Sequence, residues 1–196
     1  MLDTLRSIDH NIFYWFNNHL VGNYHWLDLI WKFLAVYLIY LVPLGLVAAW
    51  FFVKNEKNHK TMLAAFFTGA VAWQVVAAFI GSLHYRMRPF TSLAGAQEVV
   101  FHVPTYSFPS DHASFLAGIT VYFYFAGYKK VGNIMLITTF LICFSRIVTG
   151  LHWPSDIFAG WIVGTLVAWI FWLLRKPIDK WILSPILWVL RKIKIA

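Results

Sequence analysis

SRIVTGLHWPSD, residues 145–156, lies between two apolar runs and carries an arginine, a histidine and an aspartate in one short stretch. Charged groups at membrane depth are costly unless they line a cavity or perform a task. Pro154 marks a helix start, because the N–H that proline lacks is unpaired at the first helical position anyway. The stretch therefore reads as the junction where one apolar helix ends and the next begins, with Arg146, His152 and Asp156 gathered at it. Two further clusters, FPSDH at residues 108–112 and RMRPF at residues 86–90, also stand at the ends of apolar segments. Together the three point to an anion-handling site built by a membrane protein.

Composition agrees. Of 196 residues 60% are hydrophobic, 19% aromatic and only 12% charged, with mean hydropathy +0.66 and eleven tryptophans. A soluble domain carries about 25% charged residues. The net charge of +8 does not point to nucleic acid, because the cations cluster between apolar runs, as juxtamembrane anchors do. Cys143, the single cysteine, sits inside an apolar run and reads as a packing residue. The first twenty residues include Asp3 and Asp9 and have no apolar core, so no cleavable signal peptide is expected.

Working outward, the chain reads as one all-α domain over residues 1–196. It is a polytopic membrane helix bundle of about five transmembrane helices with interfacial helices at both ends. Residues 1–26 place Leu2, Leu5, Ile8, Ile12, Phe13 and Phe16 at spacings of three and four. That pattern fits an interfacial helix or one packed on the bundle. The transmembrane core, residues 27–175, has spans at 27–53, 61–83, 111–128, 131–144 with a few residues more, and 157–174. A long polar connection, residues 84–110, joins the second and third. Residues 176–196 form a basic tail whose apolar part, 181–190, is too short to cross.

The charges test this topology. Lys54, Lys57, Lys60, Lys129, Lys130, Arg175, Lys176, Lys180, Arg191, Lys192 and Lys194 fall on one side; Arg6, Lys32, Arg86, Arg88 and Arg146 fall on the other. The positive-inside rule places the richer side, with the C-terminus, in the cytoplasm. The N-terminus and all three clusters are then expected to face outward.

Several chemistries fit the clusters. Asp156, one turn into its helix, can accept a hydrogen bond from one nitrogen of His152 and leave the other as nucleophile or base. The same pair reads equally well as a helix cap. Ser110 is a good N-cap whose helix start cradles anions, and His112 in the first turn can donate a proton. Alone, that segment reads better as an ordinary cap. The guanidinium forks of Arg88 and Arg146 suit tetrahedral oxyanions. Such a cationic set favours a phosphoryl group and not a divalent metal, so neither metal nor cofactor is expected.

These residues resemble a known family. Pro109-Ser110-Asp111-His112, and Ser145-Arg146 with His152 and Asp156 at matching spacing, are similar to the second and third signatures of the type 2 phosphatidic acid phosphatase superfamily. Asp111, where many members carry glycine, resembles the bacitracin-resistance type of undecaprenyl-diphosphate phosphatase. The first signature is usually Lys-x6-Arg-Pro; here Arg88-Pro89 is present, but Gly81 stands at the lysine position, with His84 and Arg86 as candidate replacements.

The resemblance implies a lipid phosphatase with His152 as nucleophile, Asp156 as its orienting partner and His112 as proton donor. Arg88, Ser110 and Arg146, with His84 or Arg86, would hold the phosphate. It also implies a lipid phosphate or diphosphate substrate, undecaprenyl diphosphate first among them, and many members with six helices. Phosphatidic acid, phosphatidylglycerol phosphate or lipid A is the alternative substrate. A transporter or proton channel is the alternative class, although its ionisable groups would be expected nearer mid-membrane. Oligomeric state is not legible in the sequence.

Overall fold

The structure, a computed structural model, describes residues 2–100 and 105–193. Lys194 of the basic tail, and the side chains of Leu2, Asp3 and Leu5, lie outside the described residues. Among those residues the chain is helical with no strand. Helix α1 spans Leu2–Leu20, α2 His25–Phe52, α3 Glu56–Leu83, α4 Asp111–Phe125, α5 Lys129–Val148 and α6 Pro154–Leu173. Beyond it, Arg175–Ile178 and Asp179–Leu183 lead into α7, Ser184–Lys192.

Four helices, α2, α3, α5 and α6, are long and apolar enough to cross a membrane. The fifth expected span is shorter than its hydropathy suggests. Helix α4 has 15 residues and stops at Phe125, because Gly127 turns the chain at φ 84°. At 1.5 Å per residue it reaches about 22 Å, less than the ~30 Å hydrocarbon core. It tolerates this because it is the buried centre of the bundle, packed against α3, α5 and above all α6.

Small residues make that centre possible. A Cβ on Gly160 would stand 2.7 Å from the Ser110 carbonyl oxygen, and one on Gly69 the same distance from the Phe115 carbonyl oxygen. Gly164 is likewise pressed against the Ser114 backbone. Backbones touch at these points, as close helix pairs in membranes require.

Helix α1 docks on the bundle while keeping an apolar face outward. Asp9, Phe13 and Asn17, one turn apart, are buried, whereas Ile8, Ile12 and Trp15 on the other face are exposed. Asn17 donates from Nδ2 to the carbonyls of Val148 (2.8 Å) and Gln97 (3.0 Å) and accepts the Gln97 N–H (2.8 Å). A buried amide needs such partners, and these clamp α1 to the end of α5.

At the opposite end Lys60 bridges Glu56 (3.0 Å) and Asp179 (2.8 Å), and Arg191 reaches Glu56 (2.8 Å). With Leu183 and Leu187 buried, the tail is fastened to the start of α3. Of its cations, Arg191 thus serves an ion pair.

Candidate active site

The long connection returns the chain to the ends of α3 and α5 and the starts of α4 and α6, so the three charged clusters meet at one end of the bundle. Helix α5 ends at Val148, and Gly150, at φ 83°, supplies the turn that stops it. The N–H groups of Leu151 and His152 then fold back onto the Arg146 carbonyl at 3.0 and 3.2 Å. This turn sets Arg146 and His152 side by side.

His152 is 1% exposed and held at both nitrogens. Nδ1 lies 2.9 Å from the Ser107 carbonyl oxygen, an acceptor only, so Nδ1 carries the hydrogen. Nε2 then bears the lone pair and faces Arg88 Nη1 at 3.2 Å and Arg146 Nη2 at 3.4 Å. Burial first, then Arg146, Arg88 and His112, hold this imidazole well below the usual histidine range. It is neutral at pH 7.

Asp156 differs from expectation. Its Oδ2 is 3.7 Å from His152 Nδ1, so it does not take the direct imidazole hydrogen bond that the spacing suggested. It accepts from the Trp153 N–H (2.9 Å), capping α6, and from the Ser107 hydroxyl. Ser107 therefore stands between carboxylate and imidazole, its carbonyl on one and its hydroxyl on the other. Sequence reading missed it, because the function of a serine carbonyl has no sequence signal.

Both arginines are anchored by carbonyls. Arg88, 3% exposed, donates to the carbonyls of Leu151 (2.8 Å) and Tyr106 (3.2 Å) and to the Thr105 hydroxyl (3.1 Å). Arg146 donates from Nη1 to the Ala35 carbonyl at 2.9 Å. Ala35 sits in a π-helical turn of α2, Phe33–Tyr37, where the backbone ladder is locally rearranged. The same Nη1 is 3.3 Å from His112 Nε2, so one guanidinium stands between the two imidazoles. The Nε of Arg88, the Nε of Arg146 and the Ser110 hydroxyl are buried without a hydrogen-bond partner among the described residues. Ser110 occupies the N-cap position of α4 without spending its side chain on the cap. Unpaired buried donors beside two fixed cations are what a tetrahedral oxyanion would satisfy.

Neither candidate replacement for the first-signature lysine stands in this cradle. Arg86 lies between two carboxylates, Asp9 at 2.5 Å and Asp156 at 2.7 Å, and also donates to Ser155 Oγ (2.6 Å). Its charge is already balanced there. His84 is exposed, its ring edge-on to Phe108. At Gly81 a side chain would run into the Tyr106 ring, so an aromatic residue fills the space that a lysine stem would need. Asp9 was also missed; the signal available was a carboxylate amid the apolar spacing of α1.

An all-helical membrane bundle that closes two guanidiniums and a neutral imidazole around one point fits the class of membrane phosphatases. The chain belongs to the PAP2 superfamily, whose sequence profile matches residues 60–179. It is 35% identical to the "Bacitracin transport permease protein BcrC" of Bacillus licheniformis, over 82% of this chain and 78% of that protein. It is 32% identical to "Undecaprenyl-diphosphatase BcrC" of Bacillus subtilis (strain 168), over 78% of this chain and 79% of that one. The crystal structure of a PAP2-type phosphatidylglycerolphosphate phosphatase from Bacillus subtilis superposes with TM-score 0.63 at 22% identity, covering 91% of this chain and 89% of that one. The protein is a multi-pass membrane enzyme that hydrolyses lipid phosphates.

Proposed function

We propose that the substrate is a polyprenyl diphosphate, undecaprenyl diphosphate, hydrolysed to undecaprenyl phosphate and phosphate at the outer membrane face through a phosphohistidine. One observation carries the chemistry: the neutral His152 Nε2 aims its lone pair between Arg88 and Arg146. The identity with an undecaprenyl-diphosphatase over most of both chains supports the substrate class.

The Nε2 lone pair attacks the terminal phosphorus, and the bond from that phosphorus to the bridging oxygen breaks, its electrons leaving on the oxygen. His112 gives that oxygen a proton. Arg88, Arg146 and the Ser110 hydroxyl hold the phosphoryl oxygens, whose charge grows in the transition state. Nδ1 keeps its hydrogen, so the phosphoimidazole is cationic; the Ser107 carbonyl and the Asp156 carboxylate behind it meet that charge. Water then attacks the same phosphorus, His112 takes its proton, and the P–N electrons return to Nε2.

Purified protein assayed for phosphate release across a panel of lipid phosphates and diphosphates tests the substrate. Undecaprenyl diphosphate is expected to be preferred over phosphatidic acid, phosphatidylglycerol phosphate and lipid A; a clear preference for any of these would replace it. The transport alternative is separated in liposomes, where flux without phosphate release would support it.

Metal independence follows from the donor set, in which guanidiniums do the work a divalent ion does elsewhere. Hydrolysis is expected to survive excess EDTA. Loss on chelation, restored by one particular metal, would refute it.

Orientation follows from the cations at the α7 end. A reporter fused after Ala196 should be cytoplasmic. Cysteine at exposed Ala94 should label from outside intact cells, with little background from the buried Cys143. Labelling only after permeabilisation would reverse the topology.

A further inference from the structure

Helix α1 lies outside residues 60–179, the part matched by the superfamily profile, yet it reaches into the site. Asp9 is 5% exposed and fully engaged. Its Oδ1 accepts the Ser155 N–H (2.9 Å); its Oδ2 accepts the Ser155 hydroxyl (2.6 Å) and Arg86 Nη2 (2.5 Å). Arg86 in turn holds Asp156 Oδ1, while Asp156 Oδ2 holds Ser107 and the Trp153 N–H. His10 stacks on the Trp153 ring at 4.6 Å, Phe13 meets its edge at 5.4 Å, and Arg86 lies over it at 5.1 Å. A continuous chain thus runs from Asp9 through Arg86, Asp156 and Ser107 to His152.

We propose that Asp9 is a positioning residue of the active site: it holds Arg86 against Asp156 and, by offsetting the Arg86 charge, leaves one net negative charge behind the nucleophile. This rests on the reading of His152 as nucleophile. Asp156 alone would supply that charge, but Arg86 at 2.7 Å cancels it; Asp9 restores the balance. The charge matters because the imidazole becomes cationic once phosphorylated, deep in a site where Arg88 and Arg146 oppose that. Facing His152 from α5 is Arg146, from the loop before Pro89 Arg88, from α4 His112 and from α6 Asp156. Facing Asp156 are Arg86 and, beyond it, Asp9. Asp111 acts on both site arginines. The Ser107 carbonyl on Nδ1 favours the cation, and among the charged groups only the carboxylates do.

The test is the pH profile of phosphate release by full-length protein in detergent, with undecaprenyl diphosphate. Asp9→Asn keeps the shape and removes the charge. It is expected to lower kcat about tenfold with KM nearly unchanged, and to move the acid limb of kcat/KM down by roughly half a unit, as loss of a charge several ångströms away implies. Asp9→Glu should restore most of both. Asn17→Ala, which loosens α1 without changing charge, should lower Tm but leave the acid limb in place. Arg86→Gln should move the limb upward, and it carries the test if Asp9→Asn does not fold. An Asp9→Asn enzyme with wild-type kcat and acid limb would overturn the proposal. So would an Asn17→Ala enzyme that reproduces the shift, since docking of α1 would then explain it. Failure of the underlying reading looks different: the wild-type protein would form no phosphohistidine.

Discussion

His152→Ala is expected to abolish both turnover and the covalent phosphoenzyme. Loss of a nucleophile that works as a unit with its partners costs on the order of 10⁵–10⁶-fold in kcat. Here alanine also leaves Arg88 and Arg146 facing each other across an empty space, with no ring at 3.2 and 3.4 Å to separate them. Binding should survive better than rate, because the phosphate is held by guanidiniums anchored on the Leu151 and Ala35 carbonyls, not by the ring. Acid-quench trapping with ³²P-labelled substrate is the measurement: label on the wild-type protein, none on the variant. Label retained in His152→Ala would place the nucleophile elsewhere, with His112 the first residue to examine.

His112→Ala is expected to cost roughly 10²–10⁴-fold, the usual worth of a general acid. The loss should shrink for an activated phosphoester whose leaving group departs without a proton. His112 is the second residue of α4, in its first turn, and Arg146 lies between it and His152. A phosphoryl group gripped by Arg146 therefore has an imidazole on either hand. The variant should still form phosphoenzyme from the activated substrate but hydrolyse it slowly, since the same residue accepts the proton of water. Rapid release without accumulation of label would remove His112 from the second step.

Much of this was legible in the residues. Apolar runs long enough to span imposed helices, because no other open structure satisfies every backbone group inside a bilayer. The spacing of Arg146, His152 and Asp156 around Pro154 placed all three at one helix junction. Residues 108–112 and 86–90 fell on the same side once the spans were counted, so the convergence of Arg88, Ser110 and His112 with them followed from topology.

What the sequence by itself determined, then, was which side chains are chemically able to act and at which end of the helices they stand. Tertiary structure alone decided their partners. Asp156 and His152 have the right spacing to bond directly, yet Ser107, 49 positions before Asp156, stands between them. Arg86 has the charge of a phosphate ligand, yet Asp9, 77 positions away, claims it. Arg146 is oriented by a carbonyl 111 positions upstream, exposed to it by a π-helical turn that no residue type announces. Helix α4 stops at the Gly127 turn, and its short length stands only because other helices wrap it, so that it need not match the bilayer on its own. The first three share one reason: a side chain's type states what bonds it can make, whereas its partner is whatever the packing brings within about 3 Å, and backbone carbonyls, identical at every position, carry no trace in the sequence.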